Sequence, residues 1–272
     1  MTGNSGAWRL ALPMYNVTPE LARNWESLLG VVVQALRRRG WSGAMDIVPV
    51  PDDLVAFWRA DDLLLSQTCG YPLVTLIGEA VQVLAAPEFA LPGCDGIHYC
   101  SVIVVREKGA NDLESLRGSV AAINQAHSQS GMNMLRHTFA PLARAGRFFG
   151  RVEVSGGHLA GMAMVQSGEA DVAAIDCVTY ALAERHAPHR VAGLRVLQRT
   201  ASAPGLPLIA SIALSEPQLQ DLRDVLYGLS TTAPQLLAQL SLRALRPITL
   251  ADYQPIAEQI RFAVDRAYPV LA

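Results

Sequence analysis

Short apolar runs alternate with longer mixed runs along most of the chain. Runs of four to ten apolar residues are typical of buried strands, and the segments between them are long enough for helices. From Ser215 to the end, the pattern predicts helices only. The predicted helices cover 19–39, 54–60, a segment from Gly131 to 142, 158–168 and 177–186, and the predicted strands cover 8–15, 45–50, 62–68, 81–89, 98–107, 119–124, 151–156, 172–176, 194–200 and 207–214.

This alternation predicts an α/β fold with mainly parallel sheets covered on both faces by helices. Two places are interpreted as crossings between two lobes rather than as turns: the long strand 98–107, which ends in the charged stretch 106–109, and the Pro/Gly-containing stretch 200–207. The predicted division gives a discontinuous lobe one, 1–103 plus 208–272, and a lobe two, 104–207. Two crossings would form a hinge, and a cleft between lobes is a natural ligand site.

Composition narrows the possible partners of the chain. The 272 residues are 51% hydrophobic and carry a formal net charge of −2. This argues against nucleic-acid binding, because the chain has no basic surface that could bind the phosphates. No run approaches the roughly 18 apolar residues of a membrane span, so no direct membrane insertion is expected. The N-terminus lacks the pattern of a secretory signal, so we expect a cytoplasmic chain or one whose leader has been removed.

The four cysteines, Cys69, Cys94, Cys100 and Cys177, form no C-x-x-C pair. Their apolar and turn contexts favour buried free thiols. A Cys69–Cys94 or Cys94–Cys100 bridge would form only in an oxidising compartment.

The segment between predicted strand 119–124 and the following helix carries the clearest candidate chemistry. It contains the sequence Ser128-Gln129-Ser130-Gly131, so two hydroxyls flank the start of a helix. Helix starts leave backbone N–H groups unbonded and carry positive potential, which suits an anion or another oxygen-rich group. An ordinary helix cap is the alternative, and taken alone the segment favours it.

Other predicted strands also end in polar or aromatic residues, and in open α/β sheets ligands bind beyond the carboxyl ends of strands. These ends include Tyr15, the turn 66–72, the turn 155–158 and Asp176. Their repetition favours a shared polar cleft. The alternatives stay open: Asp176 could cap the next helix, the tyrosines could pack in the core, and His158 could be a turn residue.

Several kinds of catalytic or cofactor site are not indicated. The chain has no G-x-x-x-x-G-K-[ST] loop, no G-x-G-x-x-G fingerprint and no G-x-S-x-G elbow. The histidines and cysteines have no metal-ligand spacing. We therefore expect no cofactor, no metal and no catalytic residues.

The motifs ALPMYN, LLLSQTCGYP, NQAHSQSGMNMLR and VSGGHLAGMAMVQSGEADVAAIDCVTYAL together resemble the phosphonate-binding-protein-like family of ABC-transporter solute receptors. The resemblance implies the type II periplasmic binding protein fold, in which two α/β lobes close on a ligand. It also implies that the S-x-S-G turn holds phosphonate or phosphate oxygens. The implied ligand-binding residues are Tyr15, Ser66, Gln67, Thr68, Tyr71, Ser101, Ser128, Gln129, Ser130, Gly131, Ser155, His158 and Asp176.

The function implied by this resemblance is the capture of a small oxyanion, similar to phosphonate, phosphate or phosphite, in the cleft between lobes. We expect a monomer that is not an enzyme, with an ABC-transporter permease as its partner and a periplasmic location. One alternative is a leaderless cytoplasmic enzyme on the same fold, resembling enzymes of menaquinone synthesis, with His158 or Asp176 as acid or base on a carboxylate. Another is a cytoplasmic ligand sensor.

Overall fold

The computed structural model describes residues 7–272, which alternate between strands and helices as the sequence predicts. Most predicted strands are present but shorter, and Pro13 and Pro49 lie in the parts of 8–15 and 45–50 that are not strand. The strands are β1 (Trp8–Ala11), β2 (Met45–Ile47), β3 (Leu63–Gln67), β4 (Val81–Phe89), β5 (Cys94–Asp95), β6 (His98–Tyr99), β7 (Ser101–Arg106), β8 (Val120–Ile123), β9 (Arg151–Val154), β10 (Val172–Asp176), β11 (Leu194–Arg199), β12 (Ala203–Pro204), β13 (Leu208–Ser211) and β14 (Leu242–Arg246).

The helices begin and end at recognisable signals. The longest begins at Pro19, after Thr18 caps it by accepting a hydrogen bond from the N–H of Leu21. Two segments, Leu73–Ile77 and Gln129–Asn133, are π-helical. The α-helices are α1 (Pro19–Arg38), α2 (Leu54–Trp58), α3 (Gly70–Pro72), α4 (Met134–Phe139), α5 (His158–Ser167), α6 (Cys177–His186), α7 (Glu216–Thr232), α8 (Pro234–Gln239) and α9 (Gln254–Val264).

The chain forms two compact units. The first contains the described residues up to Ala90 together with Gly205–Asp252. Its six-stranded sheet has the order β14-β4-β13-β3-β1-β2. The strands β1, β2 and β3 are parallel, but β13, β4 and β14 pair antiparallel with their neighbours. The expectation of mainly parallel sheets is therefore wrong for half of this sheet.

The strand β14 also corrects the sequence prediction that the chain is helical from Ser215 onward. Leu242–Arg246 pairs antiparallel with β4, and Arg243 and Arg246 are exposed while the residues between them are buried. Ser241, at φ 57°, turns the chain into this strand. Five residues between helices give too short a pattern to separate a strand from a helix end.

The second unit contains Leu91–Pro204 and Tyr253–Ala272. Its main sheet has the order β11-β7-β10-β8-β9, in which β8 is parallel to β9 and β10, while β7 is antiparallel to its neighbours. A small sheet, β12-β6-β5, belongs to the same unit. Val104 and Val172 are fully buried in the main sheet.

The boundaries of these units differ from the predicted division at 103/104 and 207/208. Residues 91–103 belong to the second unit, because β7 pairs with β10 and β11. The C-terminal residues 253–272 also belong to it, because α9 packs on α4, where the rings of His137 and Phe262 are 4.5 Å apart. Neither long-range contact leaves a local signal in the sequence.

Within residues 7–272, no helix combines the length and the apolar character that a membrane span requires.

Candidate functional site

The polar turn after β8 forms the start of a helix in the second unit. Ser128 has an extended backbone, and its Oγ accepts a hydrogen bond of 3.0 Å from the N–H of Gly131. Its carbonyl accepts a wider, π-helical bond from the N–H of Asn133. The first N–H groups of a helix have no carbonyl one turn earlier to bond. Ser130 is the second residue of this helical segment, so its N–H belongs to the first turn.

Ser130 lies at the centre of this arrangement and is 3% exposed. Its Oγ lies 2.8 Å from Nε2 of His158, which is a hydrogen-bond distance. Its carbonyl accepts a 2.9 Å hydrogen bond from the hydroxyl of Ser101, a fully buried residue of β7. The structure therefore brings together four of the residues that the sequence selected: Ser101, Ser128, Ser130 and His158.

His158 is the first residue of α5 and is half-buried. Burial lowers the pKa of His158 to about 4, because the imidazolium form loses water there. The ring is consequently neutral at pH 7. In the tautomer that carries its proton on Nε2, the ring donates to Ser130 Oγ, and the hydroxyl proton of Ser130 is left to donate elsewhere.

Gly131 is required by a close approach between the turn and the end of β8. A Cβ atom at position 131 would overlap Oδ1 of Asn124 and lie 2.8 Å from its Cγ. The Asn124 Oδ1 atom is buried and has no hydrogen-bond partner. The glycine thus lets the helix start lie directly on the end of the strand.

A network of hydrogen bonds between buried polar side chains holds the turn in place. Gln129 donates from Nε2 to Oε1 of Gln259 at 2.7 Å, and Asn133 donates to Oε1 of Gln129 at 2.8 Å. Arg136 donates to Oδ1 of Asn133 at 2.7 Å and to the carbonyl of Pro269 at 2.6 Å. The sequence predicted Gln129 as a ligand contact, but its fully buried side chain is committed to this network.

Sequence reasoning missed the other members of the network. Asn133 and Arg136 are polar residues inside an apolar helical run, and both are at most 5% exposed. Buried polar groups of this kind must be hydrogen-bonded, so their position was a signal that a partner exists. The partner Gln259 lies 130 positions away from Gln129, and nothing local identifies it.

Two further predicted residues of the second unit have structural contacts. Asp176, 1% exposed, accepts hydrogen bonds from the N–H groups of Val178 and Thr179 at 2.7 and 3.2 Å and so caps α6. The hydroxyl of Ser155 lies 3.0 Å from the carbonyl of Ile123 and 3.1 Å from that of Gly157, so its single proton is shared between two acceptors in the turn before His158. These contacts of Asp176 are those of a helix cap, the alternative that the sequence left open.

The predicted residues at the end of β3 lie inside the first unit. Ser66, Gln67 and Thr68 are at most 1% exposed. Ser66 Oγ accepts a hydrogen bond from the indole N–H of Trp58 at 3.3 Å, and Gln67 donates to the carbonyl of Leu206 at 3.1 Å. These contacts arise because β3 is a central strand that is covered on both faces, so its polar side chains bond within the unit.

The two predicted tyrosines differ in burial. Tyr15 is 7% exposed and packs against Trp25 and Phe89, with ring centroids 6.4 and 5.1 Å apart. Its φ of 65° is uncommon for a tyrosine. Tyr71 is half-buried in α3, and its carbonyl accepts a hydrogen bond from Thr75.

The described residues contain no group of three or more His, Cys, Asp or Glu side chains arranged to hold a metal ion. All four cysteines are free thiols. The sulfurs of Cys94 and Cys177 are 3.7 Å apart, a pairing that differs from both bridges considered from the sequence.

A family model described as "ABC transporter, phosphonate, periplasmic substrate-binding protein" matches residues 12–253. No curated protein sequence matches the chain.

Solved structures share the fold at low sequence identity. A binding protein component of an ABC phosphonate transporter from Pseudomonas aeruginosa is 18% identical with a TM-score of 0.78, covering 97% of this chain and 88% of that one. PhnD1 from Prochlorococcus marinus, in complex with methylphosphonate, is 17% identical with a TM-score of 0.76, covering 97% and 100%. XAC2383 from Xanthomonas citri, bound to ATP, is 19% identical with a TM-score of 0.72, covering 96% and 98%.

Proposed function

The chain belongs to the family of periplasmic phosphonate-binding proteins that serve ABC transporters, and from this membership we propose that it captures a small phosphorus oxyanion at the Ser128–Gly131 turn. The solute-binding role and the two-lobed fold follow from the family. The observation that carries the proposed site is Ser130, which lies in the first turn of the helix start and whose hydroxyl lies 2.8 Å from the neutral imidazole of His158.

The hydrogen-bond donors of this site suit the binding of an anion, and the proposal needs no cationic side chain in direct contact with it. When His158 donates from Nε2, the hydroxyl proton of Ser130 is left to donate to another acceptor. The helix start adds positive potential, because the peptide dipoles of the segment align along its axis. Arg136, further along the same helical segment, is buried and donates to Asn133, which in turn donates to Gln129.

The geometry favours phosphonate, phosphate or phosphite over larger ligands with dispersed charge. A tetrahedral anion presents several oxygens to closely spaced donors, whereas a carboxylate presents two in one plane. Methylphosphonate, which is bound in the PhnD1 structure from Prochlorococcus marinus, belongs to this class. The proposed site lies in the second unit. That Tyr15, Thr68 and Tyr71 of the first unit also contact the ligand stays a prediction from the sequence.

A thermal-shift panel tests the proposal directly. The ligands are methylphosphonate, phosphate, phosphite, ATP, an alkylsulfonate and a dicarboxylate, each added to the purified protein. A ligand at a hundred times its dissociation constant stabilises the folded state by about 2.7 kcal/mol, which shifts the melting temperature measurably. If none of the phosphorus oxyanions shifts it, the proposed ligand class is wrong.

Calorimetric titration of Ser130→Ala then tests the site. We expect about 10- to 100-fold weaker binding, since a hydrogen bond to a charged group contributes about 1.5–3 kcal/mol. Ser119→Ala is the matched control, because its Oγ lies in the same unit, at the opposite end of β8, and has no hydrogen-bond partner. Equal loss of affinity in both variants would exclude a specific role for Ser130.

An enzyme on this fold is the second candidate, because a serine hydroxyl 2.8 Å from a histidine also has the geometry of a nucleophile and its base. Two observations oppose it. The lowered pKa makes His158 a weak base at pH 7, and among the described residues Ser130 is its only hydrogen-bond partner, so no third group orients the ring. Phosphorus NMR of methylphosphonate kept with the protein decides between them: binding leaves the spectrum of the recovered ligand unchanged, and turnover produces a new resonance.

The transporter role has two further consequences. We propose a permease of an ABC transporter as the partner and the periplasm as the location. Fractionation of cells that express the native gene tests the location, and a protein found only in the cytoplasm would favour the sensor or the enzyme instead.

A further inference from the structure

Three thiols of the second unit lie against one another. The sulfurs of Cys94 and Cys177 are 3.7 Å apart. A Cβ atom placed on Gly93 would lie 3.0 Å from the sulfur of Cys177 and 3.1 Å from that of Cys100, so both sulfurs pack against the same glycine. The fourth thiol, Cys69, belongs to the first unit.

The fold assembles this cluster from distant parts of the chain. Gly93, at φ 92°, turns the chain into the β5–β6 hairpin, in which Cys94 pairs with Tyr99 and Cys100 follows directly. Cys177 is the first residue of α6, and its N–H donates to the carbonyl of Cys100 at 3.1 Å. Since Cys94 and Cys177 are 83 positions apart, no spacing rule finds the pair.

We propose that Cys94 and Cys177 are a disulfide-forming pair that closes when the protein meets a disulfide oxidant. The sulfurs are already in contact, and rotation of the two side chains would bring them to the bond length of about 2.05 Å. Cys94 is half-buried, whereas Cys100 and Cys177 are buried, so Cys94 is the thiol that an oxidant reaches first.

The reaction balances with a small disulfide such as oxidised glutathione. The Cys94 thiolate attacks one sulfur, a mixed disulfide forms and one glutathione thiolate leaves. The Cys177 thiolate then attacks the sulfur of Cys94 and displaces the second glutathione. Two protein thiols become one disulfide, the oxidant is reduced to two thiols, and these take up both protons.

The surroundings predict a slow reaction that becomes faster at higher pH. A hydrogen bond with Cys177, and then burial, raise the pKa of the Cys100 thiol. For Cys177 the hydrogen bond with Cys100 acts to lower the pKa, but the hydrogen bond with Cys94 and burial outweigh it, and the net pKa is raised. Only thiolates attack, so the closing step by Cys177 limits the rate.

The test is oxidation of the folded protein with oxidised glutathione at pH 8, followed by acid quenching, alkylation of the denatured chain and mass spectrometry. We expect two alkylated cysteines instead of four, and a non-reduced peptide that joins Cys94 to Cys177. Cys94→Ser and Cys177→Ser should abolish this bridge, and Cys69→Ser should keep it. Four alkylated cysteines after oxidation, or a bridge between any other pair, would overturn the proposal.

A second readout does not depend on any variant folding normally. The bridge would close a loop of more than 80 residues within one unit, so the oxidised protein should melt about 5 °C higher than the reduced one. Dithiothreitol should reverse the shift. An unchanged melting temperature together with four free thiols refutes the pair, and neither result depends on whether the protein binds an oxyanion.

Discussion

Replacing Gly131 by alanine tests the contact on which the candidate site depends. The added Cβ would overlap Oδ1 of Asn124 and lie 2.8 Å from its Cγ, and the next nearest atom, the backbone nitrogen of Asn124, is 3.3 Å away. The overlap therefore comes from one side chain. Because the Oδ1 atom of that side chain is buried, the side chain must leave its rotamer or displace the helix start.

The size of the effect follows from overpacking. Forcing one extra carbon into a packed interior costs about 1–3 kcal/mol. Gly131→Ala should lower the free energy of urea unfolding by that amount, and it should weaken oxyanion binding more than tenfold, since the N–H groups of the turn move with the backbone.

The double variant separates this clash from a general effect of alanine. Asn124→Ala removes both overlapping atoms, so Gly131→Ala should be less destabilising in that background, with a coupling energy of about 1–2 kcal/mol in a double-mutant cycle. Gly30→Ala is the matched control, because a Cβ there meets nothing within 4 Å, and it should stabilise helix α1 by about 0.5–1 kcal/mol. The reasoning is refuted if Gly131→Ala unfolds at the parent's urea concentration, or if Asn124→Ala gives no rescue.

Three further predictions concern the residues around the site. In the unfolded chain His158 is protonated near its ordinary pKa of 6.5, whereas in the folded protein it is protonated only near 4. The free energy of unfolding should therefore fall as the pH drops below 6.5, by up to about 3 kcal/mol from this residue. Urea unfolding at pH 7 and at pH 4.5 should show a smaller loss for His158→Gln than for the parent. Asn133→Ala removes one buried hydrogen-bond partner from Gln129 and one from Arg136, so it should lower the free energy of urea unfolding by about 2–3 kcal/mol. A decrease of less than about 1 kcal/mol would contradict the role of this network. Asp176→Ala removes the cap of α6 and should cost about 1–2 kcal/mol, while Asp176→Asn keeps an acceptor oxygen and should cost less; equal losses would mean that capping is not its role.

The candidate site could be predicted from the sequence where its chemistry is local. Ser128, Ser130 and Gly131 stand together at a strand–helix junction, and the helix start is formed by neighbours in the chain. His158 was selected for the same reason, at the start of another helix. Their contact at 2.8 Å could not be derived, because it depends on β8 and β9 lying side by side.

The direction of a side chain could not be predicted from the sequence at the other selected positions. Gln67 and Gln129 both lie at turns that the sequence predicts, yet the side chain of each forms its hydrogen bond inside its own unit. A polar residue at a strand end has the same signal whether it faces a ligand or a buried partner. Only the packing of the neighbouring elements decides between the two.

The sequence by itself determined the approximate positions of most strands and helices, the α/β class and the polar turn at Ser128–Gly131. These features arise from hydrophobic periodicity and from the capping and turn preferences of single residues, which act over a few positions. Tertiary structure alone decided the antiparallel pairing of β13 and β14, the transfer of residues 253–272 to the second unit, the Gln129–Gln259 contact and the meeting of Cys94 with Cys177. Those features join residues far apart in the chain, and the free energy that selects them comes from burial and hydrogen bonding across the folded unit, which no local pattern contains.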